Sequence, residues 1–288
     1  MWRSTVGDDM AHQYVRALEA ASDETTRRYV VLSGAPEQVI AHGALWRFRP
    51  DGYRINMVVA PGWRRRGVGS RLLAQLDHDA RAAGAITLQA RAGDDWTESL
   101  TFLRARGFVE TMRMHRLVLD VGAATLEPYR RIEPRLAATG ILITTLERAE
   151  VVDPRCWQRF RDLHHAAQDG WADPDPRPEP DPAWTTEEFR RRYLDAAAYH
   201  GVGPDECFLA VHADRYVGFT GALGTAVHPE YRDRGIATAL KVRAVDLARA
   251  RDVAMLATSS GNPAMLRVNE RLGFRRTSTE VRLVKRLT

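Results

Sequence analysis

The chain carries the same short pattern twice. Residues 58–73 read VVAPGWRRRGVGSRLL, and residues 226–241 read AVHPEYRDRGIATALK. Without a gap, Pro61 falls on Pro229, Arg64 on Arg232, Arg66 on Arg234 and Gly67 on Gly235. A second echo follows each copy: LRARGF ending at Phe108, and NERLGF ending at Phe274. Two motifs repeated in one order at nearly one spacing are the mark of a duplicated domain. The 288 residues are enough for two domains of ordinary size.

Composition narrows the class. Hydrophobic residues make up 44% and charged residues 27%, as in soluble globular proteins. No apolar run approaches the length of a membrane span, and MWRSTVGDDMAHQYV lacks the apolar core of an export signal. The two cysteines, Cys156 and Cys207, suggest neither a disulfide framework nor a metal site, which fits a reducing cytoplasm. The net charge of +5 rests almost wholly on arginine, because Lys241 and Lys285 are the chain's lysines. Acids are interspersed among the arginines with no basic stripe, so nucleic-acid binding is not expected.

Apolar periodicity and turn residues order the elements. The first half reads as helix 8–21, strand 29–32, strands 38–48 and 54–60 around an Asp51–Gly52 turn, helix 65–83, strand 86–90, helix 94–106 opened by Asp94 or Asp95, and strand 108–120. The second half repeats this order. It reads as strand 141–146, helix 154–169, a helix capped by Thr185 or Thr186, strands 207–212 and 215–220, helix 234–250, strand 253–258, helix 262–271 and strand 277–284. Residues 172–184 hold too many prolines for a regular element and are expected as a surface loop. This order predicts domains at 1–121 and 141–288 joined by a linker at 122–140. The first half has no counterpart of strand 141–146, so either its domain lacks that edge strand or the true N-terminus lies upstream. VGFTGALGTAVHPE leaves little room for a second hairpin.

Each repeated motif ends a strand, crosses a turn and opens a helix. The turn reads R-x-x-G-x-G at Arg64, Gly67 and Gly69, and R-x-x-G-x-A at Arg232, Gly235 and Ala237. A helix N-terminus offers unpaired amides and partial positive charge. Small residues there let the backbone close on a phosphate, and the arginines add positive field. The turn therefore reads as an anion cradle of pyrophosphate size. It is not a P-loop, since no G-K-[ST] closes it, and its spacing does not suit a Rossmann turn.

The pattern V-x-P-x-x-R-x-R-G-[VI]-[GA]-x-x-L-[LK], followed by a helix ending in GF, resembles the GCN5-related N-acetyltransferases (GNAT) over nearly the whole chain, as two tandem units. TSSGNPAMLRVNERLGF at 258–274 resembles the mycothiol-synthase-like tandem group. The resemblance implies an α/β (α+β) fold in each unit, a mixed, mostly antiparallel sheet flanked by helices. It implies an acetyl-CoA-dependent N-acyltransferase acting on a small amine, with acetyl-CoA in a cleft where two central strands splay apart. By position, Val58 and Val59, and Ala226 and Val227, would pair with the pantetheine arm. The pyrophosphate would lie on Arg65, Arg66, Gly67, Val68, Gly69 and Ser70 beside Arg64, and on Asp233, Arg234, Gly235, Ile236, Ala237 and Thr238 beside Arg232. Asn262 matches an asparagine that contacts the arm, and an N-cap before Pro263 explains it equally. No metal is implied.

The catalytic pattern departs from the family. Its tyrosine, placed to protonate the departing thiolate, is here Leu103 and Asn269, and its glutamate base is Asn56 and Thr225. Trp96 stands where an asparagine is usual. His42, Asp94, Asp95 and His228 are weak candidates, each with an ordinary structural explanation, so no catalytic residue is assigned. The first unit, with its complete glycine cradle and hairpin, is expected to be the working one. The second would serve structure or dimerisation in a monomer or homodimer. The competing expectation is a non-catalytic acyl-CoA-binding or regulatory protein on a degenerate scaffold.

Overall fold

A computed structural model describes residues 26–33, 38–167 and 184–287. The helix expected over 8–21, any edge strand before it, and the proline-rich loop up to residue 183 lie outside the described residues. The chain divides into two compact units: Met1–Met112 with Glu280–Thr288, and Arg113–Thr279.

In the first unit, β1 (Thr26–Ser33), β2 (Gln38–Arg49) and β3 (Gly52–Val59) form an antiparallel meander. Helix α1 (Val68–Ala82), β4 (Thr87–Gly93), α2 (Thr97–Arg104) and the first residues of β5 (Val109–Asp120) follow. Strand β4 runs parallel to β3 for three pairs, from Gly52↔Thr87 to Arg54↔Gln89. On its other side β4 is antiparallel to Glu280–Arg286, so the chain's last strand supplies part of this unit's sheet. Val281 and Leu283 lie in one apolar core with Leu88 and Ala90 of β4 and with Leu72, Leu73 and Leu76 of α1. Each such fully buried leucine contributes about 2–3 kcal/mol by removal from water. The close approach of α1 to β2 depends on Gly43, where a Cβ would sit 2.9 Å from Leu72 Cδ1.

The second unit contains α3 (Ile132–Ala138), β6 (Ile141–Thr145), α4 (Leu146–Val152), α5 (Cys156–Ala167) and α6 (Thr186–His200). Then come β7 (Phe208–His212), β8 (Arg215–Gly221), β9 (Gly224–Val227), α7 (Ile236–Ala250), β10 (Met255–Ser260), α8 (Pro263–Arg271) and the start of β11 (Arg275–Arg286). Strands β6 to β9 form an antiparallel sheet in chain order, and β10 pairs antiparallel with β5. The second hairpin does form, although the segment leaves little room for it. Ala222 and Leu223 make a two-residue turn, Gly221 pairs with Gly224, and Gly224 takes the φ of +96° that the turn requires. Gly218 repeats the device of Gly43, since a Cβ there would lie 2.7 Å from Ile236 Cγ2 at the start of α7.

Within 122–140, Glu127–Tyr129 is a 3-10 turn and α3 is a helix. Charges tie this stretch to α7: Arg243 Nη2 lies 2.6 Å from Glu133 Oε1, and Arg130 pairs with Asp246. Thr185 caps α6 as expected, in a reciprocal box with Glu188. Phe160, Phe189, Tyr193 and Phe219 pack edge-to-face in the core beneath α5 and α6.

Candidate functional site

The two cradles share their geometry residue by residue. After β3, Pro61–Trp63 form a 3-10 turn, Arg65 adopts φ +61° and Gly67 adopts φ +82° as the residue before α1. After β9, Pro229–Tyr231 form the same turn, Asp233 adopts φ +62° and Gly235 φ +84° before α7. Arg64 Nε donates to the Val59 carbonyl at 3.3 Å, and Arg232 Nε donates to the Val227 carbonyl at 3.4 Å. Arg66 stacks over Trp63 at 5.2 Å, and Arg234 over Tyr231 at 4.8 Å. Each helix starts with a 3.1 or 3.0 Å bond to the glycine carbonyl, Arg71 to Gly67 and Ala239 to Gly235.

Neither helix has a side-chain cap or an acid in its first turn. The leading amides, Val68 to Ser70 and Ile236 to Thr238, therefore meet no side-chain cap at the positive end of each helix. Arg64, Arg65, Arg66 and Gly67 are exposed, and a Cβ built on Gly67 would meet nothing within 4 Å. That open face fits a phosphate group. At Gly235 a Cβ would lie 3.0 Å from Ile132 Cγ2, so α3 backs the second cradle. The first cradle is backed differently. Arg106 Nη2 donates to Ser70 Oγ at 2.6 Å while its guanidinium lies 3.6 Å over Phe102, the ring next to Gly69.

The strands in front of both cradles part. In the first unit the parallel ladder ends at Arg54↔Gln89, which leaves the β4-facing edge of Ile55–Val59, including Val58 and Val59, without a ladder among the described residues. In the second unit β9, with Ala226 and Val227, shares no ladder with β10. A strand edge beside a cradle can pair with an extended amide-bearing arm.

The remaining candidates take structural places. Asn262 caps α8, its Oδ1 accepting from the amides of Ala264 at 2.8 Å and Met265 at 3.3 Å. Asp94 and Asp95 do not cap α2, contrary to expectation. The residue before that helix is Trp96, with no side-chain cap, because a turn closed by Trp96 N to Gly93 O moves the start to Thr97. His228 Nδ1 accepts from the Glu230 amide, and its Nε2 lies 3.2 Å from Arg215. The Thr225 hydroxyl is bonded to Thr220 at 2.7 Å. Asn56 is buried in β3, and burial together with the Arg28 charge lowers the His42 pKa.

Sequence reasoning passed over Lys241. It is buried on α7 and pushed down to about 8, with burial as the one cause. The available signal was its rarity, one lysine of two in an arginine-rich chain, and its alignment with the core residue Leu73.

Comparisons with known proteins agree with this geometry. Residues 2–108 and 161–274 match the acetyltransferase (GNAT) family. A mycothiol acetyltransferase of Thermobispora bispora is 30% identical over 236 residues, spanning 78% of this chain and 73% of that protein. Another, of Cellulomonas flavigena, is 28% identical over 267 residues, spanning 87% and 72%. A GCN5-related N-acetyltransferase from Sphaerobacter thermophilus shares the fold at a TM-score of 0.69, over 96% of this chain and 85% of that one, with 18% identity. A tandem GNAT protein from the clavulanic acid biosynthesis pathway does so at 0.58, over 93% and 85%, with 19% identity. With two cradles of one geometry and a match that covers most of its length, this chain belongs to the acetyltransferase (GNAT) family.

Proposed function

We propose that the protein is an acetyl-CoA-dependent N-acyltransferase that acetylates a small amine-bearing acceptor, working in the cytoplasm as a monomer or homodimer. Acetyl-CoA would supply the acyl group already activated as a thioester. Val58 and Val59, and Ala226 and Val227, offer strand backbone to the pantetheine arm. The amides of 65–70 and 233–238 take the pyrophosphate, with Arg64 and Arg232 beside them. A strand amide facing the gap polarises the thioester carbonyl, and the protein contributes mainly orientation of the two reactants.

The observation that carries this reading is the doubled cradle, with an uncapped helix start behind a left-handed glycine and a parted strand pair in front. The named relatives, both mycothiol acetyltransferases, support transfer of an acetyl group. The test is thiol release from acetyl-CoA across a panel of small primary amines, with product mass as the second readout. Amine-dependent release is expected. Tight acetyl-CoA binding with no transfer to any amine would favour a non-catalytic acyl-CoA-binding protein instead.

A further inference from the structure

The chain contains its own control for what the fold requires between the two cradle-side helices. In the first unit, Leu73 of α1, Leu103 of α2 and Phe108 lie in one apolar core. The corresponding residues of the second unit are Lys241 of α7, Asn269 of α8 and Phe274. The fold is therefore satisfied by two leucines here, and the second unit replaces both with polar groups.

Neither polar group is satisfied by the protein. Asn269 is 1% exposed, and its Oδ1 has no hydrogen-bond partner. Lys241 is 8% exposed, and its ammonium meets the Phe274 ring at 5.4 Å with no ion pair or hydrogen bond among the described residues. Both residues adjoin Phe274, Lys241 against its ring and Asn269 through its backbone carbonyl, which accepts from the Phe274 amide at 3.1 Å. An unsatisfied buried acceptor such as Asn269 Oδ1 and a charge held at low exposure such as Lys241 are both costly, and have no reason to persist in a scaffold that needs only packing. Their placement also matters. Lys241 lies six residues past Gly235 and Asn269 seven past Asn262, about 9–10 Å along two helices that follow β9 and β10, strands that share no ladder with each other.

Together the pair offers a cationic donor and a neutral acceptor. The reactive end of acyl-CoA has matching chemistry, a sulfur that leaves as an anion and an amide N–H two methylenes away. We propose that the second unit houses the acyl-transfer centre, with Lys241 as proton donor to the departing sulfur and Asn269 as acceptor for the neighbouring amide N–H. This rests on the acyltransferase reading above. As the acceptor nitrogen bonds to the acyl carbon, the carbon–sulfur bond breaks and its electron pair goes to sulfur. Lys241 gives sulfur a proton, and the neutral amine then takes the proton that the acylated nitrogen loses, so the ammonium is restored. A lysine poised near 8 is matched to a thiol for this exchange.

The test needs no acceptor. Coenzyme A is titrated on the full-length protein, with thiolate absorbance reporting the pKa of the bound thiol, and desulfo-coenzyme A serves as the binding control. In the wild type the ammonium should lower the pKa of the thiol bound in the second unit by about one unit. Lys241→Met should return it to the free value while leaving desulfo-coenzyme A affinity unchanged, and Lys241→Arg should keep it low. Asn269→Leu, which installs the first unit's residue, should weaken both ligands about tenfold. An unchanged thiol titration in Lys241→Met overturns the inference, as does coenzyme A binding that Gly67→Asp abolishes and Gly235→Asp spares. If the wild type binds no coenzyme A at all, the acyltransferase reading itself falls.

Discussion

Replacing Gly67 by Asp, with Asn as its control, isolates the electrostatics of the first cradle. Gly67 has φ +82°, and a Cβ there meets nothing within 4 Å. Both variants therefore incur the same left-handed backbone strain, about 1 kcal/mol, and no packing penalty. They differ by one charge at the helix start. At a separation of roughly 6 Å and an effective dielectric near 20, a unit charge pair costs about 3 kcal/mol, and screening at physiological salt reduces this to about 1–2 kcal/mol. Calorimetric titration with acetyl-CoA should show the first-cradle site about tenfold weaker in the Asp variant than in the Asn variant, with equal melting temperatures. The same exchange at Gly235 should cost more stability, because a Cβ there would lie 3.0 Å from Ile132. Equal acetyl-CoA affinity in the Asp and Asn variants at both glycines would refute the cradle assignment.

Three other outcomes follow from buried or capping groups. Burial lowers Lys241 from 10.5 to about 8, so below pH 8 the native state carries a desolvated ammonium at a cost of about 3 kcal/mol. The wild type should gain stability relative to Lys241→Met as pH rises from 8 towards 10.5, and Lys241→Met should be the more stable at pH 7, as read by urea midpoints. His164 is held neutral, mainly by burial, down to about 4, so unfolded chains take up its proton first. Stability should fall by about 3 kcal/mol between pH 6.5 and 4, and His164→Phe should remove that slope. Thr185→Ala breaks the capping box of α6 and should cost about 1 kcal/mol in equilibrium unfolding.

Local signals in the sequence carried most of the fold. The Thr185 cap and the helix periodicities are properties of a few adjacent residues and reappear where expected, but the helices expected from 65 and 234 begin only at Val68 and Ile236, because Gly67 and Gly235 take left-handed φ and stand before them. Long-range choices did not. Alternation identifies 277–284 as a strand but cannot say which strand it joins, and Glu280–Arg286 pairs with β4 of the first unit. The Ala222–Leu223 turn was missed because a two-residue loop takes so little chain. At the site, backbone geometry was legible and side-chain chemistry was not. A lysine inside α7 breaks the rule that charges face water, and its meaning emerges only when Leu73 shows what the same place holds in the other copy.

The most direct test of the account is the stoichiometry of acetyl-CoA binding to the purified chain by isothermal titration calorimetry. Two cradles of one geometry predict two sites per chain, one weakened in Gly67→Asp and the other in Gly235→Asp. A single site insensitive to both substitutions, or no binding at all, would contradict it.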